Sequence, residues 1–433
     1  MILNADVAHT KSAGKAIDKL PNRLLPNGAL WPYMTNLLLN FDPLQVRYAG
    51  HAFTNIYQTV AMAAEQTGDT AAAIQVLHTV ILRLDPASST LTPAHYVFIR
   101  LCIRSRAFAE AANILNRPIV SLPFDTDKAT QSRSYKYFCS FQESGATYLT
   151  TTTGLNVKWI YRQYLEYFLM GSLAYLALRQ YHKALFYLEV VLTAPTSGPN
   201  VTSMLQVEAY KKWVLVSLLV KGGRSTSPPR AIPNGTLKSI RALAKPYDCL
   251  VDAFKTNNMS FLRAEIDAGQ RFWQDDCNMG LVVEVFHAFR KFQVQRLGNT
   301  FAALPIVEVA ARTSPDPTDI SETTAYVTSL IAAGELNATM AASPPSQATL
   351  RFSPAGSNKS ELQIRQSLAY QTSEMRDLLA AISNNEHRLE ISKEYVDMLK
   401  KLKKAKEQGG EKGGEQIMFA DVTDLDEDMM GDE

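Results

Sequence analysis

Seven histidines are the first side chains to test for chemistry: His9, His51, His78, His95, His182, His287 and His387. A hydrolytic zinc needs three converging protein ligands and one open position, which a helix supplies through closely spaced histidines. Neither His-x-His nor His-Glu-x-x-His occurs, and His182 and His287 fall in helical stretches where they read as ordinary face residues. The phosphate-cradling loop Gly-x-x-x-x-Gly-Lys-[Ser/Thr] is missing; Ser12-Ala13-Gly14-Lys15 lacks its first glycine and its Ser or Thr. No Gly-x-Ser-x-Gly elbow presents a serine nucleophile. Cys102, Cys139, Cys249 and Cys277 stand far apart with no Cys-x-x-Cys pair, so they read as reduced thiols of a cytosolic or nuclear protein. The Asn200-Val201-Thr202 triplet is then a chance match to a glycosylation site. The expectation is a chain that is not an enzyme, with no catalytic residue, no metal and no cofactor.

Without chemistry, function falls to surfaces, and the elements that shape them decide it. At 433 residues the chain is long enough for two or three domains. The first half reads as helical hairpins. Residues 52–66 are apolar at helical spacing until Gly68-Asp69, and 70–84 resume the pattern until Asp85-Pro86. Residues 94–104 and 109–115 form the next pair, and 160–178 and 181–192 the third, ended by Pro195. Each second helix opens alike: Thr70-x-x-Ala73, Phe108-x-x-Ala111 and Tyr181-x-x-Ala184. A small alanine there lets two helices cross closely. This predicts a tetratricopeptide-like solenoid over residues 1–221, an architecture that offers extended binding surfaces. A polar insertion at 122–157, with four consecutive threonines from Thr150 to Thr153, interrupts it. Residues 222–236, with Pro228, Pro229 and Pro233, read as a linker.

Beyond the linker, 238–256, 260–274 and 279–301 read as helices. The last carries Val282, Phe286, Phe289, Leu297 and Phe301 on one face, with Arg290, Lys291 and Arg296 solvated on the others. A short helix 305–312, a Ser-Pro-Asp-Pro turn at 314–317, a helix 321–333 and two strands, 336–340 and 348–352, predict a winged helix. From Thr313 to Met340 there is no Lys or Arg, while Asp316, Asp319, Glu322 and Glu335 are acidic. Such a helix repels phosphates, so no nucleic-acid partner is expected. The apolar runs are well short of the roughly 20 residues a membrane helix needs, so no membrane partner is expected. The N-terminal stretch has no apolar signal core, which with the cysteines predicts residence in cytoplasm and nucleus.

Residues 360–404 contain neither Gly nor Pro. Met375, Ile382, Leu389 and Val396 recur every seventh residue, with Leu378 and Leu399 on companion positions and Asn385 and Ser392 on the other two. A lone helix would expose this stripe, so a partner helix is expected, from a second copy or another chain. The charges are segregated: 44 basic against 42 acidic residues overall, but two lysines against ten acids in 406–433. A basic body therefore ends in an acidic tail expected to be disordered. Thr423, followed by Asp424 and Asp426, fits an acid-directed kinase site.

Helical repeats running into a winged helix resemble the PCI-domain family of the proteasome lid, the COP-nine signalosome and a translation initiation factor. Val46-Arg47-Tyr48-Ala49, the run 181–195, Glu208-Ala209-Tyr210-Lys211-Lys212-Trp213 and its continuation to Leu219, and Asn278-Met279-Gly280-Leu281-Val282 with Gln295-Arg296-Leu297 are similar to the subunit-three family of the signalosome. The resemblance covers most of 37–352 but not the Thr-rich insertion, the linker or the tail. It implies a mainly α chain divided into a solenoid (1–221), a linker (222–236), PCI helices with a winged helix (237–355), a bundle helix (356–405) and a tail (406–433). It implies a non-catalytic scaffold of the assembly that removes the ubiquitin-like modifier Nedd from cullin-RING ligases. Subunits one and eight would adjoin the PCI domain, the other subunits the helix bundle, and the ligases would be reached indirectly. Strand-edge pairing implies interface positions at Leu336, Ala338, Met340, Ala348, Leu350 and Phe352. The bundle implies seam positions at Met375, Leu378, Ile382, Leu389, Val396 and Leu399. A proteasome-lid subunit shares the architecture and is the alternative; a PCI subunit of an RNA-export complex is a second.

Overall fold

The computed structural model describes residues 30–122, 145–151, 153–157, 159–196, 201–223, 227–314, 318–341, 348–353, 361–391 and 396–400. Helices α1 (Leu30–Asn40) and α2 (Pro43–Val46) lead in, the second opened by the Asp42 carboxylate, which accepts from the Leu44 N–H at 3.0 Å. The hairpins follow: α3 (Gly50–Thr67) with α4 (Thr70–Leu84), α5 (Pro93–Ser105) with α6 (Phe108–Leu115), and α8 (Tyr161–Ala177) with α9 (Tyr181–Thr193). Between them α7 (Gly145–Tyr148) is a single turn. Ala73, Ala111 and Ala184 are each fully buried where the second helix of a pair packs on the first. A larger side chain there would force the helices apart, which explains the recurring small residue.

The insertion was expected to be a polar loop. Its described end is instead packed into the repeats. Leu149 and Leu155 are buried, Tyr148 donates to the Leu84 carbonyl at 2.5 Å, and the Asn156 amide donates to the Leu91 carbonyl at 2.9 Å. The threonine run supplies local turn bonds, with the Thr153 hydroxyl donating to the Tyr148 carbonyl at 2.8 Å. Gly50 is required beneath it, because a Cβ there would stand 2.2 Å from the Thr153 carbonyl oxygen.

Helix α10 (Met204–Lys221) follows the third hairpin, opened by a capping box of Ser203 and Gln206. It packs on α9 and also on α11 (Asn234–Leu243), α12 (Lys245–Lys255) and α15 (Met279–Thr300). One apolar core therefore runs from Leu38 to Phe289, straight across residues 222–236. The stretch is tied down at its start: Gly222 ends α10 in the left-handed conformation (φ 61°), and a Cβ there would lie 2.5 Å from the Phe292 ring.

The expected helix over 238–256 is two, α11 and α12, because Pro246 has no N–H to continue the ladder. The next is likewise split, into α13 (Met259–Ala268) and α14 (Gln270–Asp275), around Gly269.

The winged helix is present, with one strand more than expected. β1 (Ala303–Pro305), α16 (Ile306–Thr313), α17 (Ile320–Ala332), β2 (Ala338–Ala341) and β3 (Thr349–Phe352) build a three-stranded sheet in the order β1-β3-β2. β1 is antiparallel to β3, with Leu304 opposite Leu350. Three residues are too few to show an alternating pattern, so only pairing reveals the strand. Leu304, Ile306, Val309, Val327, Leu330, Leu336 and Leu350 are buried here, outside the long core.

The described residues divide into two compact units. The first holds everything to Leu336 and residues 340–351; the second holds 337–339 and the chain from Phe352 on, including α18 (Glu361–Ile391).

Candidate interaction surfaces

Several residues behind the sequence resemblance, Glu189, Tyr210, Lys211, Trp213 and Asn278, meet in adjoining polar contacts. Lys211 Nζ lies 2.6 Å from Asp276 Oδ1, Tyr247 donates to Asp276 Oδ2 at 2.8 Å, and the Asn278 amide donates to the Tyr247 hydroxyl at 2.8 Å. Beside it, Tyr210 donates to Asp248 at 2.8 Å and stacks on Trp213, whose indole donates to Glu189 at 3.2 Å. Burial, then the Asp248 contact, pushes the Tyr210 hydroxyl up to about 12; burial also raises Tyr247. Both phenols stay protonated and act as donors, not nucleophiles. The network docks α10 onto α9, α12 and the end of α14, so these residues fix shape.

A cleft of about 1090 Å³ opens among α9, α13, α15 and α17, lined by Arg179, Tyr181, Arg263, Glu284, Arg290 and Lys291 among others. Tyr181 donates to Glu284 at 2.5 Å, and Arg179 pairs with the same carboxylate at 3.2 Å. Arg290, Lys291 and Arg296, expected to be solvated, are engaged instead. Arg290 pairs with Glu322 at 2.8 Å and Lys291 with Glu335 at 3.2 Å, while Arg296 donates to the Gly222 carbonyl at 3.1 Å.

Among the described residues, no three His, Cys, Asp or Glu side chains come together as metal ligands. His182 and His287 are exposed on their helices. His95 is buried at the start of α5: the Thr92 N–H donates to Nδ1 at 3.2 Å, which leaves Nε2–H to donate to Ser88 Oγ at 2.8 Å. Burial holds this imidazole down to about 3, so it is a neutral helix cap. Burial raises the Cys102 thiol to about 12, with Glu110 adding to the shift. Among the described residues, no helix is long and apolar enough to cross a membrane.

The positions expected at strand edges separate into two groups. β3 is the middle strand and Leu350 stands opposite Leu304 of β1, so Leu350 is not on an edge and this expectation is corrected; Phe352 lies one residue past the stretch that β1 covers. Ala348, just before β3, gives its carbonyl to the Ile306 N–H at 2.9 Å. Leu336, Ala338, Ala348 and Leu350 are buried; Met340 and Phe352 are half-buried. The missing third strand had made β3 look like an edge. The outer strands are β1 and β2.

On α18 the seam is exposed: Met375, Leu378 and Ile382 are 65%, 59% and 51% accessible. The same heptad extends toward the N-terminus through Leu368, seven residues before Met375, and Ile364, fourteen before Leu378 on the companion positions; both are exposed and missed from sequence. Val396 and Leu399 are half-buried in a helical stretch; of Leu389 only the helical backbone is described. Thr423 and the tail lie outside the described residues.

A stack of helical hairpins carried on into a three-stranded winged helix, with a long seamed helix after it, defines a helical-repeat subunit of PCI type. The family model for COP9 signalosome complex subunit 3, N-terminal helical repeats, matches residues 27–233. COP9 signalosome complex subunit 3 of Emericella nidulans is 33% identical, over 95% of this chain and 83% of the relative. The proteins of the same name from Neurospora crassa and Drosophila melanogaster are 23% and 27% identical, over 85% and 68% of this chain and 74% and 62% of the relatives. The chain belongs to the COP9 signalosome complex subunit 3 family.

Proposed function

We propose that the chain is a non-catalytic scaffold subunit of the COP9 signalosome, the assembly that removes the ubiquitin-like modifier Nedd from cullin-RING ubiquitin ligases. The observation that carries the reading is α18. Leu368, Met375, Leu378 and Ile382 form a row at heptad spacing and all are more than half exposed, which is unfavourable for an isolated helix in water. Partner helices of the other subunits cover it in a shared bundle. The winged helix adjoins subunits one and eight, now through the outer strand β2 (Ala338–Ala341), whose edge groups can accept a neighbour's strand. The isopeptidase chemistry belongs to another subunit, cullin-RING ligases are reached indirectly, and the protein works in cytoplasm and nucleus.

Affinity purification of the tagged full chain tests the reading. Recovery of signalosome subunits, cullins and a Nedd isopeptidase is expected. Recovery of proteasome ATPases instead would replace it with the lid reading. A stable homodimer through α18 would count against the shared bundle.

A further inference from the structure

The long apolar core ends on α15 at Phe289, and the next fully buried apolar residue of that helix is Val294. Arg290 and Lys291 occupy the turn between, and each reaches a different end of α17. Arg290 Nη1 meets Glu322 Oε1 at 2.8 Å in the first turn of α17, and its guanidinium sits 4.3 Å over the Tyr326 ring. Lys291 Nζ meets Glu335 Oε1 at 3.2 Å just beyond the last turn, where the Gln295 amide also donates to the Glu335 carbonyl at 2.7 Å.

The two pairs differ in how deeply the cation is buried. The Arg290 side chain is only 11% exposed and its Nε has no acceptor, so Glu322 is the carboxylate that balances its charge. Removing that carboxylate strands a cation in a desolvated site. The carboxylates are alike, Glu322 48% and Glu335 44% exposed, but Lys291 is 22% exposed, so salt screens its pair more readily than that of Arg290.

We propose that Arg290 and Lys291 are positioning residues, a two-point ionic clamp that sets the angle of the winged helix on the repeat stack. Its use in assembly rests on the scaffold reading above; its geometry does not. Apolar contact alone permits several similar packings, whereas two charge pairs at opposite ends of one helix select a single rotation. In this form the clamp gives the winged helix a defined direction in the free chain.

Distance measurement by paired spin labels on the full chain tests it. Labels at His182→Cys and Thr328→Cys, both exposed, report α9 to α17, with Cys139, Cys249 and Cys277 changed to Ser. Wild type should give one narrow distance distribution. Glu322→Gln with Glu335→Gln should at least double its width, with hydrogen exchange in α3 to α10 unchanged. Glu335→Gln alone should broaden it less than Glu322→Gln. Arg290→Met with Glu322→Gln should recover protection of α17 from exchange, since no charge is stranded, without recovering the narrow distribution. An unchanged distribution in the double glutamine variant would overturn the clamp. Failure of wild type to recover other subunits would instead defeat the scaffold reading and leave this result standing.

Discussion

The guanidinium of Arg47 lies over the ring of Tyr148, 3.6 Å from its centroid, and so joins the loop after α2 to the end of the insertion. Arg47 is nearly buried, and Tyr148 is 4% exposed. Tyr148→Ala should cost about 3 kcal/mol, as for other buried aromatics truncated in a core. Arg47→Met keeps the packing and loses the cation–π contact, so about 1 kcal/mol is expected. Urea unfolding of both variants checks the ordering; equal midpoints to wild type would mean the insertion is not integral to the repeats.

His95 makes the repeats acid-sensitive. Its imidazole titrates at about 3 when folded, below the ordinary 6.5, so the folded state binds fewer protons than the unfolded one. The stability it contributes is complete above pH 6.5 and is lost as the pH falls toward 3. His95→Gln can still donate to Ser88 and does not titrate. Between pH 6 and 4 wild type should lose about 2 kcal/mol more than the variant, at up to roughly 1.4 kcal/mol per pH unit. Parallel losses in urea titrations would disprove it.

Thiol labelling should distinguish the described cysteines. Cys249 and Cys277 are exposed, whereas Cys102 is buried with its thiol raised to about 12. At pH 7 a maleimide should label the first two in native protein and Cys102 only after denaturation, because the thiolate is the reactive form. Peptide mapping reads the result.

Because Met375 and Ile382 are exposed, Met375→Glu with Ile382→Glu should leave the melting temperature of the free chain within about 1 °C, as surface changes do. The same variant should lose recovery of the other subunits by at least tenfold. Retention in the assembly would show that α18 is not the bundle contact.

Much of the fold is readable where local chemistry repeats. Ala73, Ala111 and Ala184 mark the helix crossings, and Gly68 and Asp85 mark the stops, because period and punctuation act over a few residues. The Met375–Ile382 row was legible for the same reason. β1 was not, since three residues carry no period, and its absence made β3 look like an edge. The insertion looked like solvent-facing polarity because the local turn bonds of Thr150 and Thr153, and those of Tyr148 and Asn156 to the distant Leu84 and Leu91 carbonyls, leave no trace in composition.

The sequence by itself determined the hairpins, the winged helix, the lack of catalytic spacing and the heptad on α18, all properties of neighbouring residues. Only the tertiary structure decided what the charges do. Arg290 and Lys291 are adjacent, and Glu322 and Glu335 stand far down the chain, so no spacing rule links them. Their pairing exists only once the chain between them has folded α17 back beside that turn of α15, and it turns an apparently solvated face into the junction between core and wing. Local free energies are written in short windows of sequence; long-range electrostatics exist only once packing has brought the groups together.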